Sequence, residues 1–582
     1  MQAPFCLFDD ARPDSEAGAL LFEQPDETIV AETLEDVIPA LARVRKVLAQ
    51  ERHVAGYLAY EAGHALDPAL AASARKGDGP LLWFGVFDQP RRLSGPELKT
   101  LLASGEARLT LPRPRIEEEA YVEAAGRVRE ALFAGDYYQA NLTFQNALET
   151  AGSPLALYRA LRSSGGGGWG GVIATGDRDL VSVSPEQFFK IEDGILKAKP
   201  MKGTAPRGKT PQEDRALVDA LAGDDKQRAE NLMIVDLLRN DMARVAVPGT
   251  VQVPRLFSVE TYPTVHQMVS EIEAELAPGL NAVDAIEKLF PCGSVTGAPK
   301  IAAIKALRTL EPEPRGAYTG SMGWIAPDGD AAFNVMIRTL ERVAGSSQAR
   351  LGLGSGLVVD SLARHEWAEC RLKGKFVESA ASAFDLIETM RYDPEDGIVA
   401  LEAHLLRMKE AAEVLGFRYD RHDARNELQA ATFGKPDISL VRLLLSRTGA
   451  MSIEVRPLGD APTEPVSVKV VPMAVEPGDF RLDHKTTDRA FYDAPREASE
   501  AFEVVFERED GTITEGSRSS VFVEQGGTLV TPPRSAGLMP GVFRQALIDE
   551  GKAVEGDLTR ADLEGGFFIG SSARGLIAAR LA

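Results

Sequence analysis

The chain carries two lysines and a small set of carboxylates whose settings suit chemistry. Glu366 and Glu369, in His365-Glu-Trp-Ala-Glu-Cys370, are three residues apart and fall on one face of a helix, close enough to hold one cation jointly. Glu230 offers a further oxygen ligand. A hard cation such as magnesium takes a few carboxylates, keeps some waters and completes its shell with substrate oxygen. The same spacing, taken alone, is that of a solvated helix face, with Glu230 an acid of a first turn favoured by the helix dipole.

Lys202 lies in Lys199-Pro-Met-Lys-Gly-Thr-Ala-Pro-Arg207, where Pro200, Gly203 and Pro206 predict an irregular loop rather than a regular element. A lysine is a nucleophile only when neutral, so burial or a neighbouring cation must lower its pKa. Farther on, Lys485 (His484-Lys-Thr-Thr-Asp-Arg489) and Glu515 (Thr514-Glu-Gly-Ser517) form a second candidate pair. A pyridoxal enzyme needs a lysine for its cofactor and commonly an acid that keeps the pyridine nitrogen protonated. Arg407 and the backbone N–H groups after Pro540-Gly541 could bind its phosphate at a helix start. Spacing alone leaves Lys202 and Lys485 equally readable as surface lysines and Glu515 as a turn residue.

These groups need a scaffold. A helix is predicted over Leu34 to Leu48, with strands over Val54 to Tyr60, Leu81 to Phe87 and Gly171 to Ala174. Glu230 opens an apolar helical stretch through Leu238, with Met233/Leu237 and Ile234/Leu238 at i, i+4 spacing. Gly165 to Gly168 reads as a loop. The small-residue segment Glu378 to Ala383 predicts a linker, giving a first domain over 1–375, a linker over 376–383 and a second domain over 384–582. Within the latter, Phe384 to Tyr392 reads as a strand, Pro394 to Gly397 as a turn and Val399 to Leu415 as an amphipathic helix. Both units read as α+β.

Composition narrows the functions available. Among 582 residues, 65 Lys plus Arg stand against 86 Asp plus Glu, a net charge of −21 that disfavours nucleic acid and anionic membranes as partners. An anionic substrate would therefore need its own cations in the site. Cys6, Cys292 and Cys370 show no metal or disulfide spacing. The opening thirty residues carry Asp9, Asp10, Asp14 and Glu16 instead of a targeting pattern, and no run approaches a membrane span, so a cytoplasmic location is expected.

Residues 1 to about 375 resemble the chorismate-binding enzymes, most closely their aminodeoxychorismate synthase component I branch. The blocks that carry the likeness are Gly135-Asp-Tyr-Tyr-Gln-Ala-Asn-Leu-Thr143, Ser184-Pro-Glu-Gln-Phe188, Pro200-Met-Lys-Gly-Thr204, Arg228 to Asp241, Gly293-Ser-Val-Thr-Gly-Ala-Pro-Lys300 and Gly352-Leu-Gly-Ser-Gly356. The resemblance implies a large β-sandwich with helices. It also implies that Lys202 attacks C2 of chorismate, that Glu186 protonates the departing C4 hydroxyl, and that Glu230, Glu366 and Glu369 hold Mg2+. Thr204, Tyr318, Arg338, Gly354, Gly356 and Lys373 would grip the substrate carboxylates, and His266 would lie near the leaving hydroxyl. Anthranilate synthases of the family usually carry Ala where this chain has Lys202, which favours the para-amino route. Gln227 stands where relatives often have an acid.

Residues 384 to 582 resemble the fold-type-IV pyridoxal-phosphate enzymes, which include branched-chain aminotransferases and aminodeoxychorismate lyase. The matching segments are Leu401-Glu-Ala-His-Leu-Leu-Arg407, His484-Lys-Thr486, Thr514 to Ser517, Thr531-Pro-Pro533 and Leu538 to Val542. The likeness implies a smaller two-part α+β domain with Lys485 bearing pyridoxal 5'-phosphate, Glu515 at the ring nitrogen, and Arg407, Val542, Phe543 and Ser571 around the phosphate. Ser520 replaces a frequent Asn. Together the two halves imply conversion of chorismate and ammonia to 4-aminobenzoate, with a homodimer through the second half. None of the three cysteines sits in a glutaminase nucleophile elbow, so a separate glutamine amidotransferase subunit is expected to supply ammonia. The alternative is anthranilate synthase component I joined to a branched-chain-type aminotransferase.

Overall fold

The computed structural model describes every residue except 12–17, 72–74, 76, 166–167, 209, 262–264, 379 and 382. Asp14, Glu16, the middle of the Gly165 to Gly168 run, and Ser379 and Ser382 of the expected linker lie outside the described residues.

Strand Phe5–Asp10 shows how the first half is layered. Its side chains alternate, and so do their destinations: Phe5 and Leu7 join a core with helices, whereas Cys6 joins a core between sheets. An 11-stranded sheet contains this strand together with Gln139–Ala151 and Gln348–Leu357, and a 10-stranded sheet carries His53–Leu58, Gln187–Glu192 and Met201–Pro206. Cys6, Phe22 and Ile173 of the first sheet meet Ala55, Tyr57 and Trp83 of the second in one buried cluster. The result is a sandwich with helices on its outer faces. Helices Glu118–Ala134 and Pro154–Gly165 cover one sheet. Helices Leu34–Leu48, Asp225–Ala243 and Ala282–Leu289 cover the other.

Helix Leu34–Leu48 forms over the predicted span because Thr33 and Asp36 make a capping box and Val37, Leu41 and Val44 share a buried stripe. Each such buried side chain contributes roughly 1.5–3 kcal/mol relative to exposure.

Two local expectations are corrected. Lys202 is not on an irregular loop but on strand Met201–Pro206, which pairs antiparallel with Val265–Glu275. The strand ends its sheet, where proline is tolerated, and Gly203, at φ +91°, absorbs a register shift between Met201 and Thr204. Glu230 does not open its helix. Asp224 caps Asp225–Ala243 by accepting from the Gln227 N–H, so the helix begins five residues earlier than Glu230.

The second half is α+β in two parts. A four-stranded sheet built on Leu386–Asp393 and Ser439–Leu445 packs against helices Leu401–Leu415 and Arg421–Thr432. The predicted helix start moves from Val399 to Leu401 because Val399 still donates to Arg391 O and Ala400 is left-handed. An eight-stranded sheet follows, in which Val466–Pro472 lies parallel to Glu503–Glu507 and Gly575–Leu581. The Lys485 segment joins the two parts: Ile387 N–H donates to Lys485 O at 3.0 Å, and Leu386 bridges Thr486. Among the described residues no helix is long and apolar enough to cross a membrane.

Candidate active sites

Lys202, carried by the end strand Met201–Pro206, faces the Gly-rich strand Gln348–Leu357. A Cβ placed on Gly356 would lie 3.2 Å from Lys202 Nζ and 2.6 Å from Gln139 Nε2, so glycine leaves the room the amine occupies. Burial lowers the Lys202 pKa, and the charge of Lys373 lowers it further; Glu186, Glu230 and Glu369 oppose the shift. Glu186, 6% exposed, is pushed up by burial despite a hydrogen bond from Ser294 and the charges of Lys202 and Lys373. An amine biased toward neutrality thus shares a site with a carboxyl biased toward its acid form, the pairing needed for nucleophilic attack with acid assistance.

Helix Ala363–Lys373 brings Glu366, Glu369 and Lys373 to the same place. Lys373 Nζ donates to Gly354 O at 2.9 Å and pairs with Glu369 at 2.8 Å. Burial would raise Glu369, but Lys373 outweighs it and holds the carboxyl low. Burial raises Glu230, helped by the negative charges of Glu366 and Glu369, while Lys202 and Lys226 oppose it. Side chains of Glu369 and Lys373 keep 52% and 43% of their surface open, so the cluster lines a cleft rather than a sealed cavity.

The three acids are hard oxygen donors, the charges of Glu366 and Glu369 reach Glu230, and in type they suit a divalent cation. Yet among the described residues no three His, Cys, Asp or Glu side chains converge closely enough to hold a metal ion. Glu369 instead engages Lys373, and Glu230 lies 3.9 Å from Lys226.

The remaining expected substrate contacts divide. Tyr318 is 8% exposed and its ring packs on Gly352, where a Cβ would meet it at 2.0 Å. Arg338 is half-buried at φ +51°, and burial lowers its pKa. Thr204 is exposed and donates to Gln267 Oε1 at 2.9 Å. His266 departs from expectation: fully buried, it has Nδ1 3.0 Å from Thr261 Oγ1 and Nε2 2.9 Å from Asp214. Both ring nitrogens are occupied, so the imidazole braces strand to helix instead of facing a leaving group. Three neighbours escaped the sequence reading. Ser294 bonds Glu186, while buried Gln139 Oε1 and Asn231 Nδ2 lack hydrogen-bond partners. Gln139 and Ser294 lie inside quoted blocks, but nothing in their spacing marks them.

In the second half, the Lys485 segment is bonded alongside strand Leu386–Asp393 of the four-stranded sheet. Burial lowers its pKa to about 7; Glu388 opposes this, and Arg407, Arg489 and Arg442 reinforce it. Glu388, missed from sequence, organises the pocket by accepting from Arg407 Nε and a terminal guanidinium nitrogen, at 2.8 and 2.6 Å, and bonding His404 Nδ1 at 2.7 Å. His404 Nε2 and Arg442 Nε are buried without hydrogen-bond partners. Glu515, 5% exposed, is pushed up by burial to about 7; it accepts from the Tyr492 hydroxyl and from Met539 N–H at 2.9 Å.

The residues expected around the phosphate come from helix Leu401–Leu415, helix Val542–Asp549 and strand Phe567–Ser571. Arg407 donates to Pro540 O at 2.9 Å, reaching the turn before helix Val542–Asp549, though Glu388 occupies much of its fork. A Cβ on Gly541 would lie 2.9 Å from Ser520 Oγ, and one on Gly570, beside half-buried Ser571, 2.8 Å from the Phe543 ring. A glycine at a helix start, a lysine of lowered pKa and a buried acid match the donor chemistry of a phosphorylated pyridine cofactor.

Fold and sites define the chain as a chorismate-binding body followed by a class IV aminotransferase domain. The family model for "chorismate binding enzyme" matches residues 3–379 and that for "Amino-transferase class IV" matches 385–581, so the chain belongs to the chorismate-binding enzymes and carries a class IV aminotransferase domain. It is 33% identical over 353 residues to anthranilate synthase component 1 of Methanothermobacter thermautotrophicus, covering 57% of this chain and 75% of that protein. It is 41% identical over 249 residues to aminodeoxychorismate synthase component 1 of Salmonella typhimurium, covering 43% of this chain but only 54% of that relative. The structure resembles a putative 2,3-dihydroxybenzoate-specific isochorismate synthase of Bacillus anthracis with a TM-score of 0.52 and 21% identity, covering 64% of this chain and 95% of that one; this likeness concerns the fold.

Proposed function

We propose that the chain makes 4-aminobenzoate from chorismate and ammonia in two steps, amination to 4-amino-4-deoxychorismate and then loss of pyruvate. The observation that carries the reading is Lys202, an amine of lowered pKa placed against Gly356 and among Glu186, Glu230, Glu369 and Lys373. Neutral Lys202 attacks C2 of chorismate while Glu186 gives its proton to the departing C4 hydroxyl. Ammonia then adds at C4 and Lys202 leaves, regenerated. Lys373, Tyr318, Arg338 and the backbone near Thr204, Gly354 and Gly356 orient the carboxylates. Glu230, Glu366 and Glu369 suit a magnesium ion in donor type, and they would hold one only with Glu369 released from Lys373 and Glu230 from Lys226.

In the second half Lys485 and Glu515 would hold pyridoxal phosphate, with Arg407, Val542, Phe543 and Ser571 toward its phosphate. Bound there, the cofactor supplies an electron sink. Lys485 moves the C4 proton, Glu515 holds charge at the ring nitrogen, and aromatisation drives pyruvate out. The division into 1–375, a 376–383 linker and 384–582 follows the two chemistries, although Phe376 and Val377 of the expected linker pack into the core of the first half. A separate amidotransferase subunit would deliver ammonia to a cytoplasmic enzyme that pairs through its second half.

Incubation with chorismate, magnesium, ammonium and pyridoxal phosphate tests the proposal. The expected product is 4-aminobenzoate, with the aminated intermediate accumulating in Lys485→Ala and nothing formed by Lys202→Ala. An ortho product would favour the anthranilate alternative, and unchanged turnover in either variant would sink the assignment.

A further inference from the structure

The two halves touch near the second lysine. Ala151, the last residue of strand Gln139–Ala151, shares a buried cluster with Phe384, Leu386 and Phe480 of the second half. Arg108 pairs in register with Ala151, and its Nε donates to Asp488 Oδ2 at 2.8 Å. The other Asp488 oxygen faces Arg481 at 3.5 Å, and Arg481 is itself forked onto Asp479. The Arg108 and Asp488 side chains are only 26% and 14% exposed, so water screens this pair less than an ordinary surface contact.

Asp488 lies three residues beyond Lys485, and the segment between them is anchored on its opposite flank. Ile387 N–H donates to Lys485 O, Thr487 N–H donates to Asp385 O at 2.9 Å, and Asp385 N–H donates to Thr487 Oγ1 at 3.0 Å. Strand hydrogen bonds therefore hold one side of the lysine segment, and a carboxylate clamped between two arginines holds the other. One of those arginines comes from the chorismate-binding half.

We propose that Arg108 is a positioning residue for Lys485, so that the first half fixes the lysine segment of the second. The inference rests on Lys485 being the cofactor lysine. A mere docking contact would stabilise the interface as a whole; this one grips the segment bearing the reactive amine at a distance of three residues, about 10 Å of extended chain. Displacement there moves the amine out of its protein surroundings.

The test uses the full-length protein without added cofactor, so that its outcome does not depend on catalysis. Hydrogen exchange is followed by mass spectrometry in peptides covering 484–489, together with the pH profile of Lys485 acylation. Arg108→Ala is expected to speed exchange in that peptide roughly tenfold, as local opening replaces global unfolding there. It should also move the acylation midpoint upward by about half a unit, toward an ordinary lysine. Arg108→Lys should keep part of the native behaviour, Glu106→Ala, which removes the exposed carboxylate 3.0 Å from the same guanidinium, should cause neither effect, and Arg108→Ala combined with Asp488→Asn should add less than the sum of the two. Unchanged exchange and midpoint in Arg108→Ala would overturn the proposal, as would a rise spread equally over strand Ser439–Leu445. If Lys485 proved not to bind pyridoxal phosphate, the functional reading of the second half would fail while the clamp measurements still stood.

Discussion

Lys202 and Gly356 stand so close that a single methyl group on the glycine would lie 3.2 Å from the lysine amine and 2.6 Å from Gln139 Nε2. Gly356→Ala is therefore expected to fold, since its strand is otherwise unaltered, but to displace the amine. Amination should fall by at least about tenfold in kcat/KM, about 1.4 kcal/mol of transition-state stabilisation. Steady-state kinetics with ammonium as donor, alongside circular dichroism, check it; full activity would show that Lys202 does not need that space.

Glu186 is raised above the usual carboxylate range by burial. As an acid it must be protonated, so the rate should fall as pH rises through its pKa. Glu186→Gln cannot donate, and kcat is expected to drop by about 10²–10⁴ with loss of that alkaline limb. A pH–rate profile of the two proteins decides.

Burial depresses Lys485 to about 7. Between that pH and the ordinary value near 10.5, the unfolded chain binds more protons at this site than the folded one, so its contribution makes stability rise with pH across that window. Denaturant midpoints of the cofactor-free protein should show this slope, and Lys485→Met should flatten it. Cofactor capture, read from visible absorbance, should likewise quicken as pH climbs through 7.

Glu515 gives the opposite sign. With its folded pKa pushed from 4.5 to about 7 by burial, the folded state retains a proton that the unfolded state has lost between those values. Its stabilising contribution is complete below pH 4.5 and disappears as pH rises through 7. Glu515→Gln should remove this slope in denaturant titrations, whereas Tyr492→Phe, by deleting a donor to the carboxylate, should move it to higher pH.

His266 is committed on both sides, to Thr261 and Asp214. Its replacement by Ala should lower the melting temperature and leave KM for chorismate within about twofold, because uniform substrate binding is not what the ring provides. A large loss of kcat in a protein of unchanged stability would restore it to the catalytic set.

How far the sequence reached depended on whether a feature was local. Helix Leu34–Leu48 could be read because its cap and apolar stripe lie within its own residues. The two-part organisation showed in the change of pattern and in the motif blocks. Strand Met201–Pro206 could not be read, since its partner lies sixty residues on and two prolines mask it. Within the sites, Lys202, Glu186, Lys373 and Gly356 come together, but Glu388 was invisible: one acid in a strand of mixed residues gains meaning only when helix Leu401–Leu415 lays His404 and Arg407 against it. The partners of His266 could not be read either, because a lone histidine says nothing of which way its ring turns.

Strand Gln139–Ala151 begins with Gln139, whose amide meets the same face of Gly356 as the Lys202 amine, and ends in the apolar seam under Phe384. Removing any one residue midway would invert the facing of everything downstream of the cut. Gln139 and Ala151 could then no longer both keep their seats, and one deletion would injure both proposed sites, whose residues are not shared. An engineer wishing to separate these activities should leave this ribbon whole and sever the chain after it has returned to solvent.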